Sequence, residues 1–413
     1  MTDPFKDVHP IPGKKRILSI DVLRGFAVLG ILVMNIQSFS MIEAAYLNPS
    51  AYGDLTGVNK WVWIISHMLA DMKFLSIFSM LFGAGILMFS SHLEEQGEKT
   101  ASLHYRRILW LLFFGLIHSY LMWHGDILVT YAVLGLVLYL MRKKKPKTLL
   151  ITGSVFLAVP MLLYIFTHVS IPFMPQEGIS GIMGSWMPDS DAAARELAAY
   201  RGTYLSHLPL RVESSLMFQT FIFFYLMGWR AGGMMLIGMA LFKWGVLSAE
   251  RSNRFYRNGM LLGFLPGLSL IATGILYNFS SGWALEKSMF LGSQFNYAGS
   301  IGIAFGYVCL INRMSRSVLY QGLKSRLAAV GRMAFTNYLA QTILCTLIFY
   351  GYGLGLFGSV QRWGQILLVL AVWAIQLVLS PLWLRFFRFG PVEWLWRSLT
   401  YWKIQPMGKA RPS

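Results

Sequence analysis

Charge is scarce in this chain. Only 13% of its 413 residues are Asp, Glu, Lys or Arg, against 55% hydrophobic and 15% aromatic. A soluble globule carries about a quarter charged residues, so that class is excluded. Cysteine is nearly missing as well. Cys309 and Cys345 both fall inside apolar runs, which suits buried packing and leaves no basis for a disulfide framework. No Cys/His pair has metal-ligand spacing, and there is no Walker loop, dinucleotide fingerprint or Gly-x-Ser-x-Gly elbow. The alternating glycines of 351–358 read as a flexible turn rather than a phosphate cradle. The polar start lacks a short apolar region ending in a small-residue cleavage site, so the first apolar run reads as a retained signal-anchor.

What the chain does have is long apolar runs, at 17–38, 61–90, 108–123, 127–141, 148–168, 215–242, 260–279, 289–311, 327–350 and 366–387. Most reach the ~17–25 residues that a spanning helix needs. The expected fold is all-α, a polytopic membrane protein of about ten transmembrane helices. Its parts are an N-terminal segment 1–16, a first bundle 17–168, an outer segment 169–214, a second bundle 215–387 and a basic tail 388–413. The outer segment reads as a lid or as an ordered linker, with a short helix near Asp189–Tyr204 capped by Asp189 or Ser190. The run 215–242 is long enough to break where Gly228, Gly232 and Gly233 flank Arg230.

Basic residues sort by side. Of the 36 Lys and Arg, 25 fall at one end of the runs, whereas Lys60, Arg195, Arg201, Arg211, Lys287 and Arg362 fall at the other. Cytoplasmic loops carry this excess, so both termini are expected in the cytoplasm. The formal charge of +18 is then a topology signal with some attraction to anionic lipids, not a nucleic-acid footprint.

Against that apolar background, Lys73, Arg230, Arg332 and the pair Asp21/Arg24 stand out, because an unpaired charge in hydrocarbon costs several kcal/mol and so marks a site or pathway. His118 lies near the outer end of its run. Gly125 turns the chain there, and Asp126 opens the returning helix. Asp126 reads either as a helix N-cap or as the carboxylate that orients His118 into a base for a hydroxyl or amine. His67 and Asp71 share a helical stripe, while Lys73 points about 200° from Asp71 and needs a partner on another helix. Asp126 is one candidate, and Lys73 reads as a structural ion pair or as a ligand for an anion. Asp21 and Arg24, three apart, are an internal pair or, with Arg332, an anion site facing the cytoplasm.

Several motifs together resemble the YeiB-type bacterial inner-membrane proteins, which carry a domain of unknown function, number 418, over roughly their second half. They are Asp21-x-x-Arg24-Gly25 followed by Gly30-Ile31-Leu32-x-x-Asn35, Lys73-Phe74 leading to Leu81-Phe82-Gly83-Ala84-Gly85, and His118 followed by Gly125-Asp126-Ile127-Leu128. Two more follow: Gly331-Arg332-Met333-Ala334-x-Thr336-Asn337-Tyr338-x-x-Gln341 and Gly390-Pro391-Val392-Glu393-Trp394. The resemblance implies the inner membrane as location.

The Arg24-Gly25 opening and Asp71-x-x-Phe74 are more distantly similar to the transmembrane acyltransferase superfamily that includes the heparan-α-glucosaminide acetyltransferases. That resemblance implies acyl transfer from a cytoplasmic acyl-coenzyme A to a sugar-like or envelope acceptor at the outer face. Its essential histidine lies upstream of the second-span motif, where this chain reads Lys60-Trp61-Val62-Trp63 and His67 is displaced toward Asp71. The catalytic role therefore passes to His118 with Asp126, and to Lys73 as an oxyanion stabiliser. Donor contacts pass to Asp21, Arg24, Asn35, Arg230, Arg332 and Asn337. The second expectation is a small-molecule or lipid transporter or flippase that uses the same charges without covalent chemistry; a membrane scaffold is the third. Membrane lipids are expected partners, nucleic acid is not, no metal is called for, and a homodimer is an open assembly state.

Overall fold

The computed structural model describes residues 17–98 and 100–409. The segment expected at 1–16 and the last four residues of the basic tail lie outside that range. In hydrocarbon every backbone N–H and C=O must be satisfied internally, which selects helices. Among the described residues the chain is indeed all-helical, with one isolated bridge between Phe387 and Gly408.

The first half comprises α1 (Leu18–Ser40), α2 (Ala44–Leu47), α3 (Gly57–Leu69), α4 (Lys73–Glu95), α5 (Thr100–Ile117), α6 (Leu128–Leu138) and α7 (Pro146–Ser170). Two connecting helices follow, α8 (Gln176–Trp186) and α9 (Ser190–Arg201). The second half runs α10 (Leu208–Met217), α11 (Gly228–Lys243), α12 (Asn253–Ser280), α13 (Ser293–Arg316), α14 (Gln321–Arg332), α15 (Ala334–Phe349), α16 (Arg362–Phe386) and α17 (Pro391–Tyr401). Among the described residues seven stretches are long and apolar enough to cross a membrane, while Leu128–Met141 and Ala334–Phe349 are apolar but shorter. Of the ten runs in the sequence, those at 108–123, 127–141 and 327–350 fall short of that measure.

Two runs depart from expectation. The run 61–90 is two helices, because Ala70-Asp71-Met72 breaks it with Met72 in the left-handed region at φ 62°. The run 215–242 does not break at its glycines; a π-helical stretch, Phe218–Met227, feeds directly into α11. Those glycines serve close packing instead. A methyl on Gly233 would stand 2.8 Å from the Gly153 carbonyl oxygen, and one on Gly238 2.1 Å from that of Met80. Small residues let backbones approach where lipid supplies no hydrophobic drive between helices.

Helix α1 packs against α4, α13, α14, α15 and α16, so it forms the centre of the assembly. The outer segment is docked. Asp189 caps α9 by accepting from the Ala192 N–H at 2.7 Å, as its sequence position suggests. Arg201 Nε then donates to the Phe357 carbonyl at 2.7 Å, and the Gly351 N–H donates to the Tyr200 carbonyl at 2.9 Å. The turn 351–358 is therefore the seat of α9.

Candidate functional site

The first buried group forms where α5 ends. A π-helical turn, His118–Met122, closes that helix, and Trp123 leaves it extended. A methyl on Gly125 would sit 2.3 Å from the Trp123 ring, so the turn needs glycine. Asp126 then does both things the sequence allowed. Its Oδ2 accepts the Val129 N–H at 2.7 Å as a cap for α6, and its Oδ1 lies 2.7 Å from His118 Nδ1. On the far side, His118 Nε2 is 2.9 Å from Thr342 Oγ1 of α15. Nδ1 is thus placed to donate to the carboxylate, and Nε2 faces the Thr342 hydroxyl. Both ionisable side chains are 1% exposed. Thr342, one turn beyond Tyr338, is the member that sequence reading missed; one of several hydroxyls in an apolar run, it carries no local signal that singles it out.

The second group forms at the break between α3 and α4. Lys73 Nζ donates to the His67 carbonyl at 2.7 Å and to Asn296 Oδ1 at 2.6 Å. Asn296 Nδ2 donates to Asp71 Oδ2 at 2.7 Å, and His67 Nδ1 lies 3.1 Å from the same oxygen. Tyr46 donates to Asp71 Oδ1 at 3.4 Å. Lys73 thus finds its partner on α13 and makes no hydrogen bond to Asp126. Asn296 is a polar group buried in an apolar run, costly there unless paired, and its place in the sequence does not name the partner.

Arg230 belongs to this level of the bundle. Its Nη1 donates to the Tyr297 carbonyl at 2.8 Å, and Nη2 donates to Ser76 Oγ at 2.9 Å and Ser300 Oγ at 2.6 Å. Its guanidinium also lies 4.4 Å from the Tyr297 ring centre. Lys73 and Arg230 are completely buried.

A third region lies at the opposite end of α1. Gly30 abuts the Phe74 ring, and six residues separate it from Arg24, a rise of ~9 Å. Arg24 Nη1 pairs with Asp21 Oδ1 at 3.2 Å. Arg107, absent from the sequence-derived set, is sandwiched between the rings of Phe89 at 4.7 Å and Trp396 at 4.5 Å. Arg397 stacks over Phe389 at 4.6 Å. Arg24, Arg107 and Arg397 are near enough to repel one another. Arg332 Nε is buried without a hydrogen-bond partner among the described residues. Glu393 caps α15 beside this cluster, accepting from Phe335 N at 2.6 Å, Thr336 N at 3.1 Å and Thr336 Oγ1 at 2.5 Å, and it is near enough to attract Arg397.

The remaining two residues of the sequence-derived set do not join these groups by hydrogen bonds. Asn337 donates to the Val330 carbonyl and Ser380 Oγ, and its carbonyl accepts from Gln376 at 2.8 Å. Gln376 in turn accepts from Gln341, which also reaches the Val28 carbonyl at 3.1 Å. This ladder ties α15 to α16 and α1. Asn35 is half-buried on α1, one helical turn beyond Ile31.

Comparison with known proteins fits this end-to-end pattern. The family described as "Protein of unknown function (DUF418)" matches residues 241–403. The uncharacterized protein YeiB of Escherichia coli strain K12 is 34% identical, covering 94% of this chain and 96% of its own length. The uncharacterized protein YxaH of Bacillus subtilis strain 168 is 34% identical over 98% of this chain and 99% of its own length. An uncharacterized 39.9 kDa protein in the amylase 3' region of Bacillus acidopullulyticus is 28% identical over 95% of this chain. With a third of its residues identical along nearly its whole length, the chain belongs to the YeiB-type family of DUF418 membrane proteins.

Proposed function

We propose that this protein is an acyl-coenzyme A-dependent acyltransferase of the bacterial inner membrane, with ten crossings and both termini in the cytoplasm. The observation that carries the reading is the buried line Asp126–His118–Thr342. A carboxylate fixes the imidazole tautomer, and the free ring nitrogen points at a hydroxyl, which is the arrangement that activates an oxygen nucleophile. The acceptor hydroxyl or amine takes the position that Thr342 Oγ1 now fills. Its proton passes to His118 Nε2 as its oxygen or nitrogen attacks the thioester carbonyl, and the thiolate leaves and is protonated to free coenzyme A.

The donor's phosphates are held at the cytoplasmic end by Arg24 and Arg332, with Arg107 and Arg397 completing the cationic rim. From Arg107 to His118 is eleven residues of α5, a rise of ~16 Å, along which the donor's extended arm would lie. Lys73 Nζ and both terminal nitrogens of Arg230 are bound by their own neighbours, so their part is to hold α4, α11 and α13 in register.

The test is thermal melting of the detergent-purified protein with acetyl- and longer acyl-coenzyme A, in wild type and Arg332→Ala. A rise in Tm that the variant loses supports the donor site. Thiol release with candidate acceptors should then fall in His118→Ala far more than stability does. No shift with any thioester removes the reading.

The second reading, a transporter, draws on the helix break at Asp71, since discontinuous helices with buried charges build midplane binding sites. It predicts binding without thiol release, dependent on a proton or ion gradient.

A further inference from the structure

On the basic side of the bundle, α7, α11, α12 and α13 enclose a groove of about 800 Å³, within the ~300–1,000 Å³ of ordinary ligand sites. Its walls are Ser154 and Ala158 of α7, Ile237 and Leu241 of α11, and Ile301 and Phe305 of α13. From Leu150 to Met161, both lining residues, α7 rises ~16 Å, so the groove is deep enough for an extended chain. Arg251 is the one charged residue in its lining. Arg251 Nε is fixed at the mouth on the Trp244 carbonyl at 2.6 Å, and Arg316 holds the Arg251 carbonyl. Arg254 and Arg257 are exposed on the first turns of α12, and Lys243 is exposed at the end of α11.

We infer that this groove binds an anionic phospholipid, with an acyl chain along α7 and the phosphate on Arg251. Two observations select that occupant. The groove opens between helices whose outward faces are lipid-like: Leu162 and Phe166 on α7 and Leu262 and Leu265 on α12 are 65%, 70%, 73% and 64% exposed. What enters sideways therefore comes from the bilayer. The mouth is cationic, and basic pockets between membrane helices favour anionic headgroups. This inference stands on the groove itself and is independent of acyl transfer.

The experiment is native mass spectrometry of the full chain with phosphatidylglycerol or phosphatidylcholine of matched chains, titrated from detergent. Wild type should carry phosphatidylglycerol at several-fold higher occupancy than phosphatidylcholine. Arg251→Gln should narrow that preference several-fold. Ala158→Trp, which fills the groove, should lower occupancy of both lipids, and Ser154→Trp is the second filler should the first fail to fold. Equal binding of the two lipids by wild type overturns the inference. So does full phosphatidylglycerol occupancy in a folded Ala158→Trp or Ser154→Trp. Displacement by palmitoyl-coenzyme A without any wild-type lipid preference assigns the groove to a donor chain and overturns it too. A lipid-insensitive dimer that the fillers dissociate assigns the groove to a second copy, with the same consequence.

Discussion

Gly25 of α1 and Gly331 of α14 meet backbone to backbone. A methyl on Gly25 would stand 1.9 Å from the Leu327 carbonyl oxygen, and one on Gly331 1.9 Å from that of Asp21. This contact brings Asp21–Arg24 beside Arg332 and so builds the cationic end of the molecule. Gly331→Ala should cost roughly 1–3 kcal/mol through forced separation of the two helices. Gly85→Ala on α4, where a methyl meets nothing within 4 Å, should be neutral or slightly stabilising. Melting temperatures of the two variants in detergent decide it, and equal effects would falsify the packing account.

The two oxygens of Asp126 have separable jobs. Asp126→Asn keeps an oxygen for the Val129 N–H but turns an NH2 donor toward His118 Nδ1, which forces the other ring tautomer. Asp126→Ala removes both and leaves His118 Nδ1 buried without its acceptor. The alanine variant should lose about 1–3 kcal/mol more stability than the asparagine one. Activity, once an acceptor is known, should fall in both. Comparable melting curves for the two variants would mean that the cap contributes nothing.

Asn296 bridges Lys73 and Asp71. Asn296→Ala leaves each charge short of one hydrogen bond in a buried place, and stability should drop by roughly 1–3 kcal/mol. The double variant Lys73→Met/Asn296→Ala removes a bridged charge together with its bridge and should lose less than the sum of Lys73→Met and Asn296→Ala. Strict additivity with Lys73→Met alone would show that the two side chains are not coupled.

Stability of the docked outer segment should depend on pH through Glu196. Burial pushes its carboxyl up to about 7, against the pull of the Glu43 N–H, which its Oε1 accepts at 2.9 Å. A carboxyl raised in the folded state favours folding fully below its ordinary value of 4.5, and that advantage is lost as pH rises through about 7. Burial and Arg211 hold His207 down to about 4, so its contribution fails only as pH falls from 6.5 toward that value. Between pH 6.5 and 8 Glu196 therefore acts alone of the two. Hydrogen exchange across residues 176–201, corrected for intrinsic rates, should quicken a few-fold at pH 8. Glu196→Gln should abolish the difference, and a difference that survives the substitution points to another group.

How much of this was readable beforehand varies with the range of the interaction. The His118–Asp126 pairing was legible because Gly125 and eight residues of chain keep the partners together. The Asp189 cap was legible for the same local reason. Thr342 and Asn296 lie 224 and 223 residues from the groups they bind, and no local pattern joins such positions. The helix break at Asp71 was missed because the apolar run continues on both sides of it; the left-handed turn at Met72 leaves no signature in residue type. Arg107 stands at the edge of an apolar run, and only the fold brings Phe89 and Trp396 around it.

Composition and run length by themselves determined that the chain is a membrane helix bundle with one basic face, because hydrocarbon tolerates neither free backbone groups nor unpaired charge. Only the tertiary structure decided which charge meets which partner. Lys73 went to Asn296 rather than Asp126, and Arg230 to Tyr297, Ser76 and Ser300. The physical reason is that helix order and rotation are set by contacts such as Gly25 against Gly331 and Gly238 against Met80, which sum packing over the whole bundle.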